Sequence, residues 1–352
     1  MTETEDILFR REGPLALITL NRPKALNALT LEMMKALDPR LDAWEADPSV
    51  EAVVIRGAGE RAFCAGGDIR ALYDSRAEGN RAYRADFYRE EYTQNRRIFR
   101  FKKPYVALVD GIAMGGGVGL SVHGSHRVAT ERTLFAMPET GIGLFPDVGA
   151  SYFLPRLPGA LGMYLGLTGA RLRTADCLYS GIATHYVPSA RLAALVEALA
   201  AADLRRGKAA VDALLAGFAQ DAGPAALAEH RAAIDRCFAG GSVEAIVAAL
   251  EREGSAFAKE TLAALASKSP TSLKLTHAAL RRGKALDFEA VMITEYRICQ
   301  YCMDGHDFFE GVRAVIIEKH GAPKWEPPTL AAVRAEEIER AFAPRADDLV
   351  FG

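Results

Sequence analysis

Long hydrophobic runs and targeting segments are missing from this sequence. The longest apolar stretches are broken by Gly, Pro or charge, well short of the roughly 20 residues that a membrane-spanning helix needs. The segment from Met1 to Asp6 is acidic, and no apolar core or arginine-rich amphipathic stretch follows it. These absences predict a chain with no membrane span and no membrane partner, located by default in the cytoplasm.

An excess of either charge is also missing. The 352 residues carry 43 Lys and Arg against 45 Asp and Glu, which gives a formal net charge of −2. Because nucleic acids are attracted by a concentrated positive field, we expect no nucleic acid partner. Any polyanionic ligand has to be met by local basic groups instead.

Cysteine is scarce, with five residues scattered along the chain. An odd number without regular spacing is typical of reduced thiols rather than of a disulfide framework. Cys299 and Cys302 form one C-x-x-C pair, but no second pair lies at metal-ligand spacing, and the surrounding segment has a helical pattern. His123 and His126 likewise lack a nearby third ligand. We therefore expect these four residues to be structural, and we predict no metal site.

The first half of the chain contains short apolar runs that alternate with helical patterns. Runs rich in Val, Ile and Leu at residues 15–20, 52–56 and 105–109 are typical of buried strands. Thr30 precedes an amphipathic pattern over residues 31–44, which predicts a capped helix between the first two strands. Strands that alternate with helices in this way indicate an α/β fold.

The second half changes character. The last strand signals lie at residues 126–130 and 134–136, and from about residue 190 the chain is rich in Ala, Leu and charge with a 3.6-residue periodicity. No internal repeat or low-complexity linker separates the halves. We predict a spiral-like α/β core over residues 1–190 and a helical C-terminal portion over residues 191–352 that packs on it.

Two glycine-rich segments stand out because each follows a predicted strand. They are residues 63–68 (FCAGGD) and 114–119 (MGGGVG). Small residues at a strand-to-helix transition permit close backbone approach and leave the first N–H groups of the helix unpaired. Such N–H groups can bind an anion or an oxyanion. Neither segment matches a nucleotide-binding glycine loop.

Four segments together resemble the crotonase, or enoyl-CoA hydratase/isomerase, superfamily. They are residues 18–29 (ITLNRPKALNAL), 64–69 (CAGGDI), 109–120 (VDGIAMGGGVGL) and 135–149 (FAMPETGIGLFPDVG). Their order and spacing carry the resemblance over about residues 7–190. It implies a crotonase-like ββα spiral core with the helical C-terminal portion packed on it, and a small-molecule acyl-CoA as the substrate.

The resemblance also implies roles for the glycine segments. The N–H groups of Ala65 and Gly116 are expected to form the oxyanion hole that holds the thioester oxygen. Lys24 is expected to face the CoA phosphates, a role for which a solvated lysine is an equal alternative. Substrate contacts are implied for the neighbouring residues Gly66, Gly67 and Asp68.

Carboxylates decide the branch of the superfamily. Hydratases of this family place one Glu three residues after the middle glycine of the turn, where this chain has Gly119. Hydration shares acid and base work between two carboxylates, so the loss of one disfavours it. Glu139 remains, followed eight residues later by Asp147, a pattern similar to that of the 3-hydroxyisobutyryl-CoA hydrolase subfamily. Further segments extend this resemblance over nearly the whole chain: residues 89–92, 119–124, 152–157, 307–314 and 323–325.

The subfamily resemblance implies hydrolysis of a short β-hydroxyacyl-CoA, 3-hydroxyisobutyryl-CoA in particular, a reaction of valine catabolism. Glu139 and Asp147 are the implied catalytic residues, and Glu91 is implied to contact the hydroxyacyl end. Apolar neighbours should raise the pKa of Glu139, and a second carboxylate should push the two titrations apart. Two routes stay open: Glu139 deprotonates water, or it attacks the carbonyl to form an anhydride. No cofactor is expected, because CoA is part of the substrate.

Simpler roles compete with these assignments. Glu139 also fits a surface or capping carboxylate, Asp147 a turn residue and Asp68 a helix cap. Glu90 competes with its neighbour Glu91 for the substrate contact. An enoyl-CoA hydratase or isomerase and a non-catalytic acyl-CoA binding subunit are the alternative functions. Family members often form trimers or hexamers, so the resemblance is compatible with a homo-oligomer, although the extended helical end could change that packing.

Overall fold

The computed structural model describes residues 5–319 and 322–351, in which strands and helices alternate before helices take over. The strands are β1 (Ile7–Glu12), β2 (Leu15–Leu20), β3 (Ala52–Gly57), β4 (Ala62–Cys64), β5 (Tyr105–Val109), β6 (Ile112–Met114), β7 (His126–Ala129), β8 (Leu134–Ala136) and β9 (His185–Tyr186). The helices are α1 (Leu31–Ala46), α2 (Ile69–Ala77), α3 (Arg81–Arg100), α4 (Gly116–Val122), α5 (Ala150–Phe153), α6 (Leu161–Thr168), α7 (Thr174–Ser180), α8 (Leu192–Ala201), α9 (Lys208–Ala216), α10 (Leu227–Cys237), α11 (Val243–Glu253), α12 (Ala256–Ala266), α13 (Pro270–Gly283), α14 (Phe288–Asp304), α15 (Asp307–Val312) and α16 (Ala335–Phe342). Residues 1–4, on which part of the location prediction rests, lie outside the described residues.

The larger sheet is mostly parallel. Its strand order is β1-β2-β3-β5-β7-β9, in which β1 runs antiparallel to β2 and the other neighbours are parallel. A smaller sheet has the order β4-β6-β8. Parallel neighbours need a crossover connection, which α1 provides between β2 and β3. The predicted α/β class is confirmed.

Helix α1 begins where the sequence predicts. The Thr30 hydroxyl accepts a hydrogen bond from the Met33 N–H at 3.2 Å, which satisfies one of the unpaired donors of the first turn. Met33, Leu37 and Leu41 recur at helical spacing and are buried in one core with strand side chains such as Ile18. The opposite face of the same sheet is also covered, so both faces of its central strands are apolar.

The chain divides into two compact units, each made of three segments. The first unit comprises Met1–Gly67, Thr93–Phe135 and Arg171–Ala226, and the second comprises Asp68–Tyr92, Ala136–Ala170 and Leu227–Gly352. This division does not coincide with the predicted boundary at residue 190. Within the first unit, α8 and α9 bury Leu195, Leu199, Val211 and Leu215 against the sheet core, so residues past 190 continue the sheet unit.

The second unit is helical, and its C-terminal helices support the turn that carries Glu139. This 3-10 turn spans Glu139–Ile142. A Cβ on Gly311 of α15 would lie 2.6 Å from the Ile142 Cα, so only glycine permits this packing. Asp307, which begins α15, accepts a hydrogen bond from the Ser269 hydroxyl at 2.5 Å. The C-terminal segment that matched the resemblance therefore has a structural role beside the Glu139 turn.

All five cysteines are buried free thiols. Within the described ranges, none of the helices combines the length and apolar character that a bilayer crossing demands. In the same residues, no group of three or more His, Cys, Asp or Glu side chains is arranged to hold a metal ion.

Candidate active site

The first glycine segment follows β4 and corrects one predicted role. The N–H of Ala65 donates to the carbonyl of Leu26 at 3.0 Å, so it is already satisfied and is not an available oxyanion donor. Gly66 has a φ of +110°, a backbone conformation that favours glycine. The N–H of Gly67, which comes next, donates to no carbonyl or side chain of the described residues. Gly67 therefore replaces Ala65 as the candidate donor of this segment.

The second glycine segment lies directly against the first. A Cβ on Gly117 would lie 2.1 Å from the carbonyl oxygen of Cys64, a distance that real atoms cannot adopt. A Cβ on Gly66 would lie 3.7 Å from the Gly116 nitrogen. The Gly116 N–H opens α4 and, in the part of the chain that the structure describes, has no acceptor. The absence of side chains is thus what lets the two segments meet and leaves two N–H donors available there.

Glu139 lies in the second unit and is a buried carboxyl with incomplete hydrogen bonding. Its side chain is only 5% exposed. Its Oε2 has no hydrogen-bond partner among the described residues. Burial, and next the negative charge of Asp147, raise the pKa of Glu139 well above its usual range. This agrees with the rise predicted from its apolar neighbours and argues against a surface carboxylate.

Asp147 is also buried, but it has a donor that favours its charged form. The Tyr92 hydroxyl donates to Asp147 Oδ2 at 2.7 Å. Burial raises the pKa of Asp147 to about 6, and the hydrogen bond from Tyr92 opposes that rise. Of the two catalytic candidates, Asp147 therefore has a donor that stabilises its carboxylate, whereas Glu139 retains an unpartnered oxygen.

The turn after Asp147 has an unusual backbone. Val148 has a φ of +51° and Gly149 a φ of +87°, so two consecutive residues adopt the left-handed conformation. For a β-branched residue such as Val148 this conformation is disfavoured, at a cost on the order of 1–3 kcal/mol. Contacts around the turn have to offset that cost.

Glu91 forms a carboxylate cluster with Glu139 and Asp147, because the charges of these groups influence one another's pKa. It is 4% exposed, and its Oε1 has no partner within the described residues. Burial, followed by the charge of Asp147, raises the pKa of Glu91 well above its usual range. Its neighbour Glu90 is only half-buried. Glu91 is therefore the more buried of the two candidate carboxyls, and its contact with substrate stays a prediction.

Two tyrosines of α3 complete the cluster and were missed by the sequence reasoning. Tyr88 and Tyr92 lie on the face of α3 that carries Glu91, at helical spacing. The Tyr88 hydroxyl has no partner among the described residues, and burial raises the pKa of Tyr88. Tyr88 and Tyr92 lie four residues apart, but the charged residues between them are equally typical of a surface helix, so the sequence alone does not single them out.

Lys24 and Asp68 have simpler surroundings. Lys24 lies exposed in the 3-10 turn Pro23–Ala25. Asp68 Oδ1 accepts a hydrogen bond from the Ala71 N–H at 3.3 Å and caps α2, which is the alternative that the sequence offered. Contacts of Lys24, Gly66 and Asp68 with substrate stay predictions.

Comparisons with known proteins place the chain in a family. The family model described as enoyl-CoA hydratase/isomerase matches residues 15–342. The chain is 51% identical to the 3-hydroxyisobutyryl-CoA hydrolase, mitochondrial, of Danio rerio, with 96% of this chain and 89% of the relative covered. It is 48% identical to the protein of the same name from Homo sapiens, with 96% and 88% covered.

Solved structures agree on the fold but have different names. A carnitinyl-CoA dehydratase from Mycobacterium thermoresistibile is 44% identical, with a TM-score of 0.93 and 99% of both chains covered. An enoyl-CoA hydratase from Rhodobacter sphaeroides 2.4.1 is 41% identical, with a TM-score of 0.91 and 99% of this chain and 100% of that chain covered. The predicted crotonase-like fold is therefore confirmed.

The comparisons also correct the predicted location. We expected a cytoplasmic protein because no targeting pattern was visible, whereas the relatives at 48–51% identity are named as mitochondrial. The cytoplasmic prediction is wrong by this finding, since a default drawn from an absent signal is weaker than the agreement of close relatives. The matched residues and the identities together show that this chain belongs to the enoyl-CoA hydratase/isomerase family.

Proposed function

We propose that this chain hydrolyses the CoA thioester of a short β-hydroxy acid, 3-hydroxyisobutyryl-CoA above all, to the free acid and CoA. The observation that carries the proposal is the buried pair Glu139 and Asp147 in a chain that has Gly119 where hydratases have a carboxylate. Relatives at 48–51% identity bear the name of this hydrolase, which supports the proposal.

The backbone donors give the carbonyl its electrophilic character. In the proposal, the N–H groups of Gly67 and Gly116 hold the thioester oxygen and stabilise the negative charge that develops on it. This part of the reaction needs donors and no side chain. No cofactor beyond the CoA of the substrate is invoked.

Glu139 is the group that reacts. Because its Oε2 lacks a partner, the ionised carboxylate is poorly solvated and therefore strongly basic and nucleophilic. In one route it takes a proton from water, the water oxygen bonds to the carbonyl carbon, and the thiolate of CoA leaves and is protonated. In the other, Glu139 bonds to the carbonyl carbon, CoA leaves, and water opens the resulting anhydride. Asp147 exchanges protons with the reacting groups in both routes.

Hydroxylamine separates the two routes. An anhydride at Glu139 would be intercepted to give a hydroxamate on that side chain, which mass spectrometry of the digested protein detects. Direct attack by water leaves Glu139 unmodified during turnover. Either outcome is compatible with thioester hydrolysis and identifies its course.

Glu91 selects the substrate in this proposal. Its buried, unpartnered Oε1 accepts a hydrogen bond from the β-hydroxyl, which an acyl group without that hydroxyl cannot supply. A buried acceptor left unsatisfied is costly, so simple acyl-CoAs are rejected.

The test is thiol release over a panel of short acyl-CoAs. We expect rapid release of free CoA from 3-hydroxyisobutyryl-CoA, slower release from isobutyryl-CoA, and no loss of enoyl absorbance with crotonyl-CoA. Solved structures of similar fold named as a hydratase and a dehydratase make the crotonyl-CoA arm necessary. Crotonyl-CoA consumption without thiol release would overturn the proposal in favour of hydration.

A further inference from the structure

Glu295 is a buried carboxylate of α14 to which no role has so far been given. Its side chain is 0% exposed. It accepts hydrogen bonds from two backbone donors, the Gly149 N–H at 2.7 Å on Oε2 and the Ser151 N–H at 2.7 Å on Oε1. Both donors follow Asp147 in the chain. The side chain of Glu295, which is far from Asp147 in the sequence, therefore holds the backbone that directly follows this catalytic candidate.

The segment that Glu295 holds by hydrogen bonds is the one with the left-handed backbone. Val148 has a φ of +51°, which a β-branched residue adopts only when its surroundings enforce it. The two hydrogen bonds from Gly149 and Ser151 fix the chain on the C-terminal side of that residue. On its N-terminal side, the Tyr92 hydroxyl fixes the Asp147 carboxylate at 2.7 Å. The turn is held at both ends.

We propose that Glu295 is a positioning residue for hydrolysis, which holds the turn of residues 147–151 so that Asp147 stays bonded to Tyr92 and aligned with Glu139. The inference rests on the proposed function and adds to it a residue that touches neither substrate nor reacting atoms. Glu295 acts through the backbone, because both of its hydrogen bonds end on amide nitrogens of that turn.

A carboxylate is needed at this position because two donors have to be accepted. Each oxygen of Glu295 receives one N–H. A glutamine would accept one of them and direct its own N–H₂ group at the other donor, which leaves a buried clash of donors. Burial raises the pKa of Glu295 to about 8, while the two backbone donors oppose the rise.

The charged environment of Asp147 decides the sign of the pH effect. The titratable groups that face it are Tyr88, Glu91 and Tyr92 from α3, Glu139 from its turn, and Glu295, Cys299 and Cys302 from α14. Burial and the Tyr92 hydrogen bond are the largest influences on the pKa of Asp147, so replacing Glu295 affects that pKa through the turn. In the wild type the hydrogen bond from Tyr92 lowers the pKa of Asp147. A loosened turn weakens this bond, so the pKa of Asp147 rises. The acid limb of activity should therefore move to higher pH.

The experiment compares Glu295→Gln with Glu251→Gln, the same chemical change at an exposed position of α11. In the first variant we expect kcat for 3-hydroxyisobutyryl-CoA to fall about 10- to 100-fold with KM within about twofold, as for a small misplacement of a catalytic group. The acid limb should move up in pH, and amide exchange at Gly149 and Ser151 should accelerate. The Glu251→Gln control should match the wild type in all four measurements.

The readouts keep the possible failures apart. A folded Glu295→Gln protein with wild-type kcat, pH profile and amide exchange overturns the proposal, and so does lower thermal stability with an unchanged pH profile. If this variant does not fold, Glu295→Asp replaces it. Its shorter side chain reaches only one of the two amides, so an intermediate loss of kcat is expected and wild-type kcat overturns the proposal. If the wild type releases no thiol, the proposed function fails. Amide exchange at Gly149 and Ser151 then still tests whether Glu295 holds the turn.

Discussion

The two units prepare their groups for chemistry by opposite means. In the first unit the candidate groups are backbone amides of Gly67 and Gly116, and side chains have to be absent. In the second unit they are carboxyls such as Glu139 and Asp147, and the side chains have to be present and buried. The first arrangement is limited by steric contact, so a single methyl group should break it. The second is limited by electrostatics, so isosteric changes should keep the fold and remove the chemistry.

The variant with the largest expected effect is Gly117→Ala, which disrupts the contact between the two glycine segments of the first unit. Its Cβ would lie 2.1 Å from the Cys64 carbonyl oxygen, so the two glycine segments have to separate. We expect kcat to fall about 100- to 1,000-fold, the range for loss of an oxyanion donor. The free energy of unfolding should drop by about 1–3 kcal/mol, as in overpacked cores. Thiol release and denaturant unfolding measure the two effects.

The matched control for that variant is Gly241→Ala, because a Cβ at Gly241 would meet nothing within 4 Å. It should leave both kcat and stability unchanged. If Gly117→Ala behaves like this control, the close contact of the glycine segments has no functional importance.

A smaller effect is expected where the carboxylate cluster selects its substrate. Glu91→Leu removes the acceptor for the β-hydroxyl but fills similar space. The ratio of kcat/KM for 3-hydroxyisobutyryl-CoA over isobutyryl-CoA should fall about 100-fold, mainly through the hydroxylated substrate. Glu90→Leu, on the adjacent half-buried position, should keep the ratio. An unchanged ratio in Glu91→Leu would remove Glu91 from substrate recognition.

Tyr92→Phe should change the pH dependence more than the maximal rate. The Tyr92 hydroxyl favours the ionised form of Asp147, so its removal raises the pKa of Asp147 above about 6. The acid limb of kcat should move up by about one to two pH units, since hydrogen bonds to charged groups contribute about 1.5–3 kcal/mol. Tyr179→Phe, at an exposed position, is the control. An acid limb that stays in place would show that Asp147 ionisation does not limit the reaction.

The smallest effect concerns stability. Burial raises the pKa of Asp147 from 3.8 to about 6 in the folded chain, so ionisation of Asp147 destabilises the fold. The penalty is absent below pH 3.8 and complete above pH 6, where it amounts to roughly 3 kcal/mol at 1.36 kcal/mol per pKa unit. Asp147→Asn should therefore be more stable than the wild type by about 1–3 kcal/mol at pH 7.5. The gain should vanish near pH 4, and equilibrium unfolding at both values tests it.

Much of the fold could be predicted because its signals are local. The apolar runs at β2, β3 and β5 and the cap at Thr30 each depend on a few adjacent residues. The strands β1, β4, β6 and β9 were not predicted, whereas β8, which is as short as β4 and β6, was. The division into units was not predicted either, because it depends on how α8 and α9 pack on the sheet and not on where the composition changes.

The candidate site was predictable in part. Glu139 and Asp147 lie in one continuous segment, so one motif makes both of them candidates. The choice of Ala65 over Gly67 failed because it depends on one hydrogen bond, from Ala65 to Leu26, which no spacing reveals. Tyr92 was missed for a related reason, since its partner Asp147 lies 55 residues away in the chain.

The central claim is that the Glu139 carboxylate reacts with a thioester. The most direct measurement is the rate of CoA release from 3-hydroxyisobutyryl-CoA by the wild type and by Glu139→Gln, with CoA binding and folding measured on both. We predict that release falls by about three orders of magnitude or more in the variant, while binding and stability are kept, as expected for loss of a catalytic carboxylate. Wild-type rates of release by a folded Glu139→Gln protein would contradict the account.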